Sequence, residues 1–407
     1  MKLKTIKPFK PLHFQPIHRA ARRGVLGLVT ASVLACGGGG NGASTVVDTG
    51  LTTAAAARLN LNLNALQNYS APVLPAYYAN LATNTPVTNP SSDKIATLGR
   101  VLFYDTALSI NNTVACASCH QTSNGFSDDI TLSLGVAGST TAHAMRLGNS
   151  AYYRGANNVH SAFWDKRATS LEDQASQPIK NAVEMGFSAG IAPLLTKLAA
   201  TDYYPELFNF AFGSTAITED RIQKALAQFE RAMVSTNSKW DTAYATVFSA
   251  TAPAQNFQAS LTGAGFTASE DRGRQLFMGQ GPGAAGGLNC VSCHAAPSFV
   301  LTPGAGSNGL DAGETRVFKS PSLKNVGTDS AFMHDGRFTS LDQVVEHYNS
   351  GVKAGPALDA RLLQPNTTTP RTLNLSVQAK ADLVAFLKTL NDTVLNADAK
   401  FTSPSKP

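Results

Sequence analysis

The chain has 407 residues, of which 43% are hydrophobic and 15% charged, long enough for two domains beyond a targeting segment and ordinary for a globular protein. Its formal charge of +6 misleads, because the first 36 residues hold seven of the 33 Lys/Arg and no Asp/Glu, leaving 26 basic residues against 27 acidic. That near-neutral remainder, with no basic patch interleaved with aromatics, argues against nucleic acid as a partner.

Residues 1–36 read as an export signal. A basic stretch ends at Arg22-Arg23, an apolar run covers Gly24–Ala35, and Val33-Leu34-Ala35-Cys36 resembles the lipobox at which a bacterial lipoprotein is cleaved and lipidated on its cysteine. A plain secretory signal is the alternative. Glycines 37–40 and the following Asn41-Gly42-Ala43-Ser44 form a flexible tether, so residues 37–92 are expected to be tether and N-terminal extension. No other apolar run approaches the ~20 residues needed to span a bilayer, so contact with a membrane is expected only through a lipid anchor on Cys36.

Helices are expected from apolar spacing over Leu51–Leu66, Leu171–Ala182, Ile191–Ala200, Thr218–Ser235, Leu341–Tyr348 and Ser376–Leu390. Stretches rich in Pro, Gly and Asn at 71–92, 279–289, 302–313 and 351–372 separate them, and no alternating strand pattern stands out.

Two CxxCH pentapeptides carry the chemistry: Cys116-Ala117-Ser118-Cys119-His120 and Cys290-Val291-Ser292-Cys293-His294. Each is the attachment signature of a c-type haem, with two thiols for the porphyrin vinyl groups and a histidine for the iron. A zinc site split into two CxxC pairs is the competing reading, but it needs no histidine after both. Four of five cysteines are thereby committed to haem and the fifth to the signal, so no disulfide is expected, and covalent haem attachment places the chain outside the cytoplasmic membrane.

An internal repeat frames both motifs. Gly99-Arg100-Val101-Leu102-Phe103 precedes Cys116 by the same spacing at which Gly273-Arg274-Gln275-Leu276-Phe277 precedes Cys290, so helix motif and haem motif recur with one common offset. The expected fold is mainly α, with two tandem cytochrome c-like haem domains and long loops: 93–250 around haem 1, 260–395 around haem 2, and a C-terminal tail over 396–407.

Further segments resemble the bacterial diheme cytochrome c peroxidase family, and within it the MauG-type branch: Leu98–Asp105, Gly125-Phe126-Ser127-Asp128, the run Phe163-Trp164-Asp165-Lys166-Arg167-Ala168 with Leu171-Glu172-Asp173-Gln174 and Pro178 through Glu184-Met185-Gly186, and Pro321-Ser322-Leu323-Lys324-Asn325-Val326 with His334-Asp335-Gly336 and His347-Tyr348-Asn349. The resemblance covers most of residues 70–392. It implies a peroxidase that reduces H2O2 at haem 1 and passes oxidising equivalents through Trp164 to haem 2. Glu184, Gln174 and Pro178 would line the peroxide pocket, with Glu184 taking the first proton from H2O2 and returning it to the departing oxygen. Asn149, which precedes Trp164 by the family's spacing, matches the side-chain ligand of a bridging Ca2+, with carbonyls near Asp329 and Ala331 where the family usually has Thr and Pro; an asparagine in a turn is the plainer reading.

Two positions separate the branches. The electron-accepting peroxidases carry a methionine at a fixed spacing after the histidine of the His-Asp-Gly motif. Counted from His334, that position is Tyr348, as in MauG-type enzymes; Met333 and Met278 are the competing ligands. Peroxidases that need reductive activation carry a histidine on the loop after the first haem motif, at a position that here is Val136; His143 is expected on a surface loop. The reductant is then a periplasmic redox protein, or a partner protein whose Trp or Tyr side chains are oxidised. A diheme electron carrier without peroxide chemistry is the remaining alternative.

Overall fold

The computed structural model describes residues 49–140, 142–153, 162–250, 256–280, 289–301 and 306–406. Cys36, the signal and most of the tether lie outside the described residues. The described chain is helical with long connections. Its helices are α1 (Thr53–Arg58), α2 (Asp93–Tyr104), α3 (Cys116–Cys119), α4 (Leu171–Ala175), α5 (Gln177–Lys180), α6 (Ala192–Ala199), α7 (Tyr204–Phe212), α8 (Glu219–Arg231), α9 (Lys239–Val247), α10 (Ala268–Phe277), α11 (Leu341–Glu346), α12 (Val377–Lys388) and α13 (Thr393–Ala397). Among the described residues, strand is limited to two antiparallel hairpins of two-residue strands, β1 (Leu134–Gly135) with β2 (Gly138–Ser139) and β3 (His294–Ala295) with β4 (Val300–Leu301).

Local signals explain the long helices. Ser92, Thr218, Thr267 and Ser376 each cap a helix with a side-chain oxygen that accepts a backbone N–H of the first turn. At α10, Glu270 returns a bond to the cap, completing a capping box. The expected helix over Leu51–Leu66 stops at Arg58, because Leu59 bridges to Ser405 and Asn60 donates to the Pro404 carbonyl, a pairing across the whole chain that overrides local periodicity. The run Leu171–Ala182 breaks at Ser176, since Pro178 has no N–H to continue the helix.

The repeat seen at Gly99 and Gly273 is a packing device. Helix α2 crosses α8 and α10 crosses α12, and at each crossing the glycine lies against a carbonyl of the facing helix, Ala225 or Asp382. A Cβ at either position would overlap that oxygen and stand 2.9 Å from the Cβ of Phe229 or Phe386. The same helix face buries Leu102 and Phe103 in one core and Leu276 and Phe277 in another.

The correspondence extends further than a fixed offset reveals. Asn149 and Asn325 both hold left-handed backbone, φ 64° and 63°, which asparagine tolerates. Asn149 donates its N–H to the Met233 carbonyl and accepts the Ser235 N–H on Oδ1 at 3.0 Å; Asn325 does the same with Leu390 and, at 2.7 Å, Asp392. Each asparagine thus latches the chain leaving the second helix of its pair. Likewise the bridges Ala162–Ala168 and Phe332–Phe338 close two equivalent loops, with positive φ at Phe163 and Lys166 in one and at Met333 and Gly336 in the other. In these loops Trp164 and His334 occupy the same place.

Because the crossings leave no room for a methyl group, Gly99→Ala and Gly273→Ala are each expected to cost about 1–3 kcal/mol, seen as a lower midpoint of denaturant unfolding. Gly263, with open space around it and φ outside the left-handed region, supplies the control: Gly263→Ala should leave that midpoint unchanged.

Candidate functional site: two histidine-centred pockets

Helix α3 is a single turn that carries Cys116 and Cys119 and ends on His120. The His120 imidazole is held by its Nδ1, 3.0 Å from the carbonyl oxygen of Phe126, whose left-handed backbone turns that carbonyl back toward the ring. In the second motif, the His294 Nδ1 lies 3.1 Å from the carbonyl of Pro321. A ring nitrogen that donates to a carbonyl fixes the tautomer and leaves Nε2 as the free, unprotonated donor. Burial pushes both imidazoles toward the neutral form, His294 down to about 4.

The thiols fit haem and not zinc. Burial pushes the Cys119 thiol up to about 11 and Cys290 to about 12. Among the described residues no three His, Cys, Asp or Glu side chains gather into a metal cluster, and the two pairs belong to different cores. Around the second pair lies a cavity of about 550 Å³, walled mainly by apolar side chains and containing Cys290, Cys293 and His294. Two thiols, a fixed Nε2 donor and an apolar recess suit a covalently attached porphyrin.

Glu184 stands on the turn after α5, with Gln174 on α4 and Pro178 on α5 leading into it. Burial raises its carboxyl above the usual range, opposed by Arg167, and its charge is felt at the thiols of Cys116 and Cys119, which puts it at the first site. The hairpin after His120 packs directly on this turn. Val136 donates its N–H to the Glu184 carbonyl at 3.0 Å, Ala137 donates to that of Val183, and Gly135 fits against Val183 where a side chain could not. The position expected to distinguish the reductively activated peroxidases therefore adjoins Glu184, and it presents valine methyls.

His143 is not on the surface, as expected from its loop; it is buried. Its Nε2 pairs with the Ser127 hydroxyl at 3.1 Å and its Nδ1 with the Ile130 carbonyl at 2.9 Å, so neither nitrogen is left for iron. It lines the second cavity together with Ser127 and Trp164. The Trp164 indole N–H donates to the His143 carbonyl at 2.8 Å, and the His143 N–H donates to the His334 carbonyl at 3.0 Å. The two equivalent loops thus grip His143 from opposite sides of its backbone. Since Ser127 follows Phe126, whose carbonyl holds His120, the wall of the second cavity directly adjoins the clamp of the first histidine. Local sequence carries no signal for this junction.

Tyr348 and Met333 also line the second cavity. Tyr348 lies in a turn of π-helix over His347–Gly351, an irregularity that favours functional positions. Burial holds its phenol well above the ordinary value, with the nearby Cys293 thiol adding to this and the Asn308 carboxamide opposing it; a bound cation reverses that preference. Met278 lines the same cavity from the end of α10.

The side chains expected around calcium have protein partners, and Asp329 Oδ1 is buried without a donor among the described residues. The Asn149 carboxamide is committed at both ends, Oδ1 to the Ser235 N–H and Nδ2 to the Ser298 carbonyl at 3.3 Å. Asp329 is ion-paired with Arg146, whose guanidinium also donates to the Ser322 carbonyl at 2.9 and 3.2 Å. Asn325 shows that the fold uses such an asparagine as a latch.

The model of the di-haem cytochrome c peroxidase family matches residues 93–247 and 268–389. The chain belongs to that family. It is 31% identical over 328 residues to a methylamine utilization protein MauG of Methylophilus methylotrophus, covering 77% of this chain and 87% of that one. It is also 31% identical over 292 residues to a cytochrome c551 peroxidase of Nitrosomonas europaea, covering 65% and 77%. A solved MauG-like protein associated with microbial copper homeostasis superposes with a TM-score of 0.63 at 28% identity, covering 83% of this chain and 99% of that one. The diheme peroxidase BthA of Burkholderia thailandensis shares the fold, with a TM-score of 0.57 at 21% identity over 80% and 93%. The protein is accordingly a diheme oxidoreductase of the peroxide-acting class, with two c-type haems.

With four thiols divided between two sites, Cys116→Ala with Cys119→Ala should halve the covalent haem seen by haem staining after denaturation, while the second site keeps its share.

Proposed function

We propose that this protein reduces H2O2 at the Cys116–His120 site, and that electrons reach that site from the Cys290–His294 site by way of Trp164. Each site would belong to its own cytochrome c-like domain, a reading supported by the two crossed helix pairs and their separate cores. When bound, the haems supply iron, at which peroxide is reduced and between which electrons pass.

Glu184 is the proton carrier. Its carboxylate takes the proton from one oxygen of H2O2 and delivers it to the other, which leaves as water once the O–O bond breaks. Gln174 and Pro178 border the same pocket. The observation that carries this reading is Val136: beside Glu184 it offers methyl groups where a histidine would compete for the iron. Oxidised protein is therefore competent toward peroxide without prior reduction.

Tyr348 supports the MauG-like version over a donor-fed peroxidase. A phenolate is a hard, anionic ligand that favours ferric over ferrous iron, whereas a thioether does the reverse. A second site so ligated is a poor acceptor from a high-potential electron-carrier protein and suits withdrawal of electrons from Trp or Tyr side chains of a partner protein. Export follows from residues 1–36 and from covalent haem, with Cys36 as the lipidated end; among the described residues no helix is long and apolar enough to cross a membrane. No role is assigned to calcium.

Four measurements test this reading. Glu184→Gln keeps the shape but cannot take a proton, so peroxide-driven turnover should fall on the order of 10²–10⁴-fold with both haems retained. Because burial raises the Glu184 carboxyl, its base form is lost as pH falls through that raised value; the rate should decline on the acid side above the usual carboxylate range, and Glu184→Gln should abolish this limb. Tyr348→Met should raise the potential of the second haem, followed by spectroelectrochemistry. Wild-type protein that is inert to peroxide until half-reduced would return the assignment to the reductively activated peroxidases.

A further inference from the structure

Tyr348 and Met333, two candidate ligands of the second haem, line the second cavity, and Asn308 lines it with them. Asn308 donates its Nδ2 to the Met333 sulfur at 3.2 Å, and its carboxamide lies close enough to Tyr348 to oppose the rise that burial causes in the phenol. Its backbone is held in turn, because the His347 ring donates from Nε2 to the Asn308 carbonyl at 3.0 Å, joining Asn308 to the π-helical turn that carries Tyr348. The other end of the carboxamide has no such use: Oδ1 is buried without a donor among the described residues. A buried acceptor left unpaired is unfavourable, and a leucine of similar size would avoid it. What asparagine supplies that leucine cannot is two N–H donors on one nitrogen, one of them engaged by Met333.

We propose that Asn308 selects the distal ligand of the second haem, one N–H tying back the Met333 thioether and the other steadying the Tyr348 oxygen on the iron. It is a positioning residue, acting through Tyr348 and Met333. The inference rests on Tyr348 being the ligand. Two effects follow from one nitrogen. Loss of the tie frees sulfur to compete for iron; loss of the donor leaves the phenolate a stronger electron donor and so lowers the ferric/ferrous potential wherever oxygen stays bound.

The test uses the full-length diheme protein, with haem stain confirming that both haems are attached. In Asn308→Leu, part of the second haem should acquire the near-infrared absorption of a ferric–thioether bond, and this band should vanish in Asn308→Leu with Met333→Leu. In that double variant the potential of the second haem should lie below that of wild type. Asn308→Asp keeps the shape, removes both donors and adds charge; it should lower the potential too, and it carries the test if the leucine variant loses haem. A wild-type spectrum and potential in both Asn308 variants would overturn the proposal. Tyr348→Phe separates the two layers. If it leaves the second haem's spectrum unchanged, the ligand assignment itself has failed; if it alters the spectrum while the Asn308 variants do not, only Asn308 is removed.

Discussion

An imidazole can serve an iron only if one nitrogen is held and the other is left free, and in this protein a single backbone carbonyl does the holding at each site. The first carbonyl is local: Phe126 lies one short turn past His120, and its left-handed backbone aims the oxygen at the ring. The second comes from Pro321, well beyond the loop that follows His294. That distant segment is in turn anchored by Lys324, a buried lysine ion-paired with Asp241 of α9. One site is therefore organised by its own turn, whereas the other depends on assembly of chain that is remote in sequence. Both arrangements sit on the same support, a helix pair crossed at a glycine.

Duplication also explains how the sites meet. Trp164 and His334 occupy equivalent places in equivalent loops, yet one loop presents an indole and the other a backbone carbonyl, and the backbone of His143 joins them. Ser127, adjacent to the Phe126 clamp, bonds the His143 ring. The two sites are thus coupled through the proximal side of the first, while Glu184 occupies its own turn beyond the hairpin at Val136. On the proposed reading, peroxide chemistry and electron exchange use different faces.

Much of this is legible in the sequence, for physical reasons that differ by element. The CxxCH motifs are readable because covalent attachment fixes a rigid local spacing, and Gly99 and Gly273 because the close crossing tolerates no other residue. The equivalences of Asn149 with Asn325 and of Trp164 with His334 are hidden, because loops of unequal length shift both pairs off the offset shared by the haem motifs. Helices α7 and α9 do not stand out from apolar spacing. The burial of His143 cannot be read either, since its ring folds back onto Ser127 and Ile130 of the preceding loop while its backbone is held by His334, from the other half of the chain. Asn308 gives no signal at all: it lies in a Gly- and Asn-rich stretch that reads as plain loop, and its meaning comes from two side chains that the fold brings to it.

The bond between the Trp164 indole and the His143 carbonyl has a consequence for what kind of radical the indole can become. A carbonyl oxygen holds the N–H hydrogen in place but is far too weak a base to remove it. An electron withdrawn from this ring therefore leaves the proton behind, and the ring is left as a cation rather than a neutral radical. Refilling it needs only an electron, with no proton to be fetched back. On the proposed reading, transfer through Trp164 that moves one light particle and no heavy atoms is fast and readily reversed.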